Sequence, residues 1–155
     1  MLLRWRELVL VGSALTLARA GAAQLVQEMG IQAIGTFSDP GLGVVGGYGA
    51  LRTLGRTRLS LNLAAGSSAG RLAVRGELLG HFLLSPEARR KPGFYLAGGI
   101  AGIGGTVDRG YLVLTAGVEQ SPGGSSGWAA EVGVGGGVRV GLGYRWRHFP
   151  GLTTH

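Results

Sequence analysis

The 155-residue chain contains no cysteine, which excludes disulfide staples and thiolate chemistry of any kind. Histidine is scarce: the three are His81, His148 and His155, and the last two fall at or beyond the end of the final apolar segment. Three histidines so dispersed make no metal-ligand spacing, and neither a metal nor a cofactor is expected. Acidic residues are few, eight against fifteen Lys and Arg. No apolar run reaches the roughly 20 residues that a bilayer-spanning helix needs. Glycine is what the chain has in excess, at 32 residues. It follows no G-x-y period and is interleaved with Leu, Val, Ala and aromatics. Each glycine costs a helix about 1 kcal/mol relative to alanine, so this density argues for turns and strongly curved strands. The length implies one domain.

Residues 1–23 read as a cleavable secretory signal-peptide helix. The basic start "MLLRWRE" carries Arg4 and Arg6, the apolar run "LVLVGSALTLA" is 11 residues long, and "RAGAA" offers cleavage after Ala22 or Ala23. Arg19 sits unusually close to that site. A mature chain starting at Gln24 keeps 12 basic and 7 acidic residues, net +5. An exported basic protein meets anionic lipid head groups rather than nucleic acid. Inward-facing arginines would explain the surplus equally well.

The mature chain is a succession of segments with period-2 alternation separated by turn signals. They are "GIQAIGTFS" (30–38), "GVVGGYGALRT" (43–53), "RLSLNLAAG" (58–66), "RLAVRGELLGHFLLS" (71–85), "FYLAGGIAGIGGT" (94–106), "GYLVLTAGVEQ" (110–120), "WAAEVGVG" (128–135) and "VRVGLGYRWRH" (138–148). The connections are short, so neighbours pair antiparallel. The expected fold is all-β: an eight-stranded antiparallel up-and-down (meander) β-barrel over 24–149, with the signal peptide before it and a short tail at 150–155. "EARRKP" (87–92) is the densest charge run. It reads as a solvated turn, one that could also touch anionic lipid or peptidoglycan-side partners.

In water the apolar face of such a barrel points inward; in lipid it points outward. One face here carries Leu, Val, Phe, Tyr and Trp, and the other Arg, Glu, Ser, Asn and many glycines. An eight-stranded lumen is just wide enough for side chains to fill, and inward Gly133, Gly135, Gly141 and Gly143 would leave room for long arginines. On this reading Arg58, Arg75, Glu77, Glu119, Glu131, Arg139 and Arg145 face inward and pair. The lumen is then a salt-bridge plug, and a gated pore is its sharper version. The aromatics Phe82, Phe94, Tyr95, Trp128, Tyr144 and Trp146 fall at one end of the meander, as an interfacial belt would.

A non-enzymatic role is expected. A serine triad needs a hydroxyl, a base and an orienting acid within reach. His81 shares a strand face with Glu77, but two strand steps separate them by about 13 Å, and no nucleophile is matched to it along the sequence. The G-x-x-G spacings in "GGIAGIGG" precede no helix and read as strand glycines.

The final strand "RVGLGYRW" (139–146) resembles the C-terminal β-signal of outer-membrane barrels, with Arg139, Gly141, Tyr144 and Trp146 at its marked positions. The mature chain is similar in size and strand count to the small eight-stranded outer-membrane proteins of the OmpA/OmpX type. This resemblance implies residence in the bacterial outer membrane, handling by the barrel-assembly machinery, contact with outer-membrane lipids and a monomeric, structural or interaction role. Two features depart from the family. The chain continues past the last aromatic as "HFPGLTTH", and with strand 1 starting in the periplasm the outer connections are the short ones. A soluble periplasmic barrel binding an apolar ligand in a Leu/Val cavity is the alternative, and a lipid-modifying membrane enzyme a third.

Overall fold

The computed structural model describes residues 25–105 and 108–150. The expected signal peptide, and residues 151–155 of the expected tail, lie outside the described residues. Eight strands follow one another: β1 (Val26–Phe37), β2 (Leu42–Arg52), β3 (Thr57–Ser68), β4 (Arg71–Leu83), β5 (Gly93–Gly104), β6 (Arg109–Glu119), β7 (Ser126–Val134) and β8 (Val138–His148). Each pairs antiparallel with its sequence neighbours, and β8 closes on β1. The described residues form a closed up-and-down barrel, the closure that removes the edges of an open sheet.

The register fixes the tilt. From Gln27 the paired residues run through Leu51, Leu59, Gly80, Gly98, Leu114, Val134 and Val138, and return to β1 at Phe37, ten residues beyond the start. A stagger of ten on eight strands tilts them by about 40° from the barrel axis. It also means that each step to the next strand climbs 10/8, or 1.25, residues of height.

The two ends differ. Connections 53–56, 84–92 and 120–125 lie with both strand termini at what we call the terminal end. The far end carries 38–41, 69–70 and 135–137, together with residues 105 and 108 at the ends of β5 and β6. Connection 69–70 is a two-residue hairpin turn with positive φ at both positions, 51° at Ala69 and 74° at Gly70, the backbone that matches strand twist.

Most boundaries shift from expectation by one or two residues, and the start of β1 shifts by four. Strand β1 begins at Val26 rather than Gly30, because Val26 to Met29 pair with Arg52–Gly49 and Gln27 to Met29 also with the end of β8. The extension carries Glu28 into the lumen, where it is buried.

Candidate functional site in the barrel lumen

Alternation sorts the side chains in one direction. Leu61 is 49% exposed on the outer surface, whereas Asn62 beside it is 3% exposed inside. Leu59, Leu63, Leu78, Leu96, Ile100, Leu112, Val140 and Leu142 all point out. The expectation of an inward Leu/Val cavity for an apolar ligand is therefore corrected: the lumen holds the charges. Six arginines (Arg52, Arg58, Arg75, Arg139, Arg145, Arg147) and four glutamates (Glu28, Glu77, Glu119, Glu131) are buried there.

They form two separate ion-pair networks. In the upper one, toward the far end, Arg75 Nε reaches Glu77 Oε1 at 2.7 Å, and Arg139 reaches Glu77 Oε2 at 2.8 Å and Glu131 Oε1 at 2.8 Å. Gln32 donates to Glu131 and accepts from Asn62 Nδ2 at 2.9 Å. Arg75 donates onward to Thr36 Oγ1 at 3.3 Å. The chain can bring these groups so close because Gly141 has no side chain: a Cβ there would lie 2.8 Å from Glu131 Cγ and 3.1 Å from Gln32 Nε2.

In the lower network one oxygen, Glu119 Oε2, accepts from three arginines: Arg58 at 2.9 Å, Arg147 at 3.0 Å and Arg145 at 3.1 Å. Glu28 Oε2 lies 3.2 Å from Arg58, while its Oε1 is 3.7 Å from Arg52 and 3.6 Å from Arg147. Arg52 and Arg147 also donate to the terminal connections, Arg52 to the carbonyls of Pro122 (2.7 Å) and Pro86, Arg147 to those of Ser121 and Gly124. With Gly123 N–H donating to Ala88 O at 2.9 Å, connections 84–92 and 120–125 fold together over the terminal mouth. The far mouth opens instead into a recess of about 130 Å³ edged by Thr36, Ser38, Ser68, Ile103, Arg109 and Tyr111.

Tyr95 joins the networks. Its hydroxyl donates to Glu131 Oε2 at 3.0 Å and accepts from Arg145 Nη2 at 3.3 Å, and the Arg58 guanidinium stacks 5.0 Å from its ring. This corrects its expected place in an outer aromatic belt. Adjacent strand residues face opposite sides, so with Phe94 outside, Tyr95 is inside and 1% exposed. Glu28, Arg52 and Arg147 are network members that the sequence reading missed; each shares the inward parity of its strand.

The other five aromatics do cluster. Allowing 1.25 residues of rise per strand, Phe82, Phe94, Trp128, Tyr144 and Trp146 fall within about two residues of one height near the terminal end. Tyr144 is wedged edge-on between Trp128 and Trp146, at 5.0 and 5.1 Å. The lower ion network shares that height, and the upper lies roughly 3 to 7 residues of rise above it. Of the residues matching the β-signal pattern, Arg139 and Gly141 face the lumen, while Tyr144 and Trp146 face outward.

His81 does meet a hydroxyl, Ser60 Oγ, at 2.8 Å from Nε2. The sequence reading had found none, because Ser60 comes from the neighbouring strand. The pair is set up the wrong way for catalysis. Arg58 Nη2 stands 3.2 Å from Nδ1, and a guanidinium can only donate. Nδ1 therefore accepts and Nε2 keeps its proton for Ser60, so the ring is not the tautomer that would take the hydroxyl's proton. Where a triad places an orienting carboxylate, this site has a cation. Among the described residues no group of three His, Cys, Asp or Glu side chains could hold a metal ion, and no helix is long and apolar enough to cross a membrane.

No family model matches the chain, and no curated protein matches it. Among solved structures, the N-terminal β-barrel domain of Pseudomonas aeruginosa OprF is similar to it, with a TM-score of 0.60 and 14% sequence identity over 78% of this chain and 97% of that one. At that identity the likeness is one of fold: a closed eight-stranded antiparallel barrel.

Proposed function

We propose that the protein is a bacterial outer-membrane barrel with a structural or interaction role, whose lumen is closed by its own ion pairs. One observation carries the reading: the barrel is inside-out for water, with Leu, Val and aromatics outside and paired Arg and Glu inside. A solvated protein rarely exposes a contiguous apolar surface of more than a few hundred Å², whereas a lipid-facing barrel requires one. The dimensions agree. From the girdle to outward Phe37 is roughly nine residues of rise, or about 23 Å at ~3.3 Å per residue and ~40° tilt. The apolar band of outer-membrane barrels is about 25 Å tall.

The five clustered aromatics act as the interfacial belt at the terminal end, which faces the periplasm. The last strand serves the assembly machinery, and the protein is a monomer. A plug is favoured over a gate by the density of buried contacts, and over an enzyme by the His81 tautomer. Fractionation with a heat-modifiability gel tests the membrane reading. The expected result is retention in the outer membrane through a high-salt wash and a mobility shift only after boiling. Recovery from the soluble periplasm would sink it. Steady single-channel conductance of the reconstituted protein would sink the plug.

A further inference from the structure

The net charge of the described chain is confined to one end. The upper network balances two arginines against two glutamates, and the far-end residues Arg71 and Arg109 balance Asp39 and Asp108. The lower network holds four arginines against two glutamates. Beyond it, the terminal connections add Arg56, Arg89, Arg90 and Lys91 against Glu87 alone. The whole surplus of five positive charges therefore sits in the terminal half, at and just past the aromatic girdle.

The rim is built, not loose. Connection 84–92 leaves β4 two residues after Phe82 and enters β5 just before Phe94. Arg52 holds the Pro86 carbonyl, and the Ala88 carbonyl accepts from Gly123. Pro86 is buried, while Arg89, Arg90 and Lys91 are exposed. Beside this loop the outer wall has an open apolar groove of about 540 Å³, lined by Leu84, Phe94, Leu96, Ala116, Val118 and Val132. The small Ala116 and Ala130, paired with Leu96 and Val118 in the sheet, make its floor shallow enough for a chain to lie against the strands.

An apolar groove lined by Leu84 and Phe94, on either side of a loop that carries three exposed cations, is complementary to one class of molecule, an anionic glycerophospholipid. We infer that this rim binds such a lipid from the leaflet at the terminal end, with an acyl chain in the groove and the phosphate against Arg89, Arg90 and Lys91. The inference rests on the membrane reading above, and its test separates the two.

Trp128 and Trp146 both stand at this end, so tryptophan fluorescence reports on its lipids. The full-length chain carrying Trp5→Phe is reconstituted in phosphatidylcholine vesicles containing either brominated phosphatidylglycerol or brominated phosphatidylcholine. Half-maximal quenching is expected at a mole fraction of phosphatidylglycerol about threefold or more below that of phosphatidylcholine, an advantage that shrinks in high salt. In the variant Arg89→Gln/Arg90→Gln/Lys91→Gln, whose folding is checked by heat modifiability, the two lipids should quench alike. Equal quenching of the parent protein overturns the lipid site while leaving the membrane reading standing. A preference that survives in the triple variant removes the loop as its cause and overturns the proposal. No quenching by either lipid removes the membrane reading itself.

Discussion

The two ion networks of the lumen use the same residue types and obey different rules. The upper one is closed: two arginines, two glutamates and a frame of neutral partners in Gln32, Asn62 and Thr36. The lower one is open: four arginines crowd two glutamates, and two of those arginines spend donors on loop carbonyls. Position explains the difference. An uncompensated buried charge costs several kcal/mol, and the upper network's loop-carbonyl contact is a long one, from Arg75 to Gly135 at 3.4 Å, so its own carboxylates balance it. The lower network sits at girdle height, beneath loops whose carbonyl dipoles can share a surplus. Surplus charge is carried at the end where loop carbonyls fold over the lumen, and the network without such a cap is neutral.

Removing one shared carboxylate from each network should break the comparison most sharply. Glu77→Gln removes the charge that Arg75 and Arg139 share, together with one of the two oxygens they reach at 2.7 and 2.8 Å. A loss of about 3–5 kcal/mol is expected, read from urea titration of the folded and unfolded gel bands. Glu119→Gln takes a charge from three arginines, but Glu28 and the loop carbonyls remain as partners of that network, so about 2–3 kcal/mol is expected. If Glu119→Gln proves the more damaging of the two, position does not govern the networks.

Arginine removal should sharpen the contrast from the other side. Arg139→Gln unbalances a neutral set and is expected to cost about 3 kcal/mol. Arg147→Gln lowers the surplus of the open set; it loses a 3.0 Å contact with Glu119, which keeps Arg58 and Arg145, and carbonyl contacts of 3.4 Å each, and about 1 kcal/mol is expected. The same unfolding titration decides. Similar losses for the two would mean that the surplus charge is as fully compensated as the balanced one.

Much of this architecture could be read from alternation alone. Parity located eight strands and put Arg58, Arg75, Glu77, Glu119, Glu131, Arg139 and Arg145 on one face, where they are. Parity also held information that clustering by end obscured: Phe94 and Tyr95 cannot share a face, and counting from Leu96 assigns Tyr95 to the lumen. Glu28 was lost because "VQEM" has apolar residues on both parities, Val26 and Met29, so nothing in it announces a strand until β8 pairs with it. Arg52 and Arg147 lie at strand ends, where inward and loop positions look alike. Which arginine meets which glutamate was not legible at all, since Arg139 and Glu77 are brought together by sheet closure and not by nearness in sequence. Ser60 beside His81 is the same case across a single strand pair.

Glycine supplies the smallest and most local test. The sequence reading put glycines inside to make room for arginine, yet glycines occupy both faces. At Gly49 on the outer wall a Cβ would meet nothing within 4 Å, whereas at Gly141 it would meet Glu131 at 2.8 Å and Gln32 at 3.1 Å. Neither has the positive φ that would itself demand glycine, so the two differ only in the space around them. Gly141→Ala should therefore push apart the upper network, with a loss of about 1–3 kcal/mol from overpacking. Gly49→Ala should be neutral or stabilise by up to about 1 kcal/mol, through the reduced freedom of the unfolded chain. Equal effects in unfolding titrations would mean that the upper network has slack to absorb a methyl group, and that its closure is not the tight fit its contact distances describe.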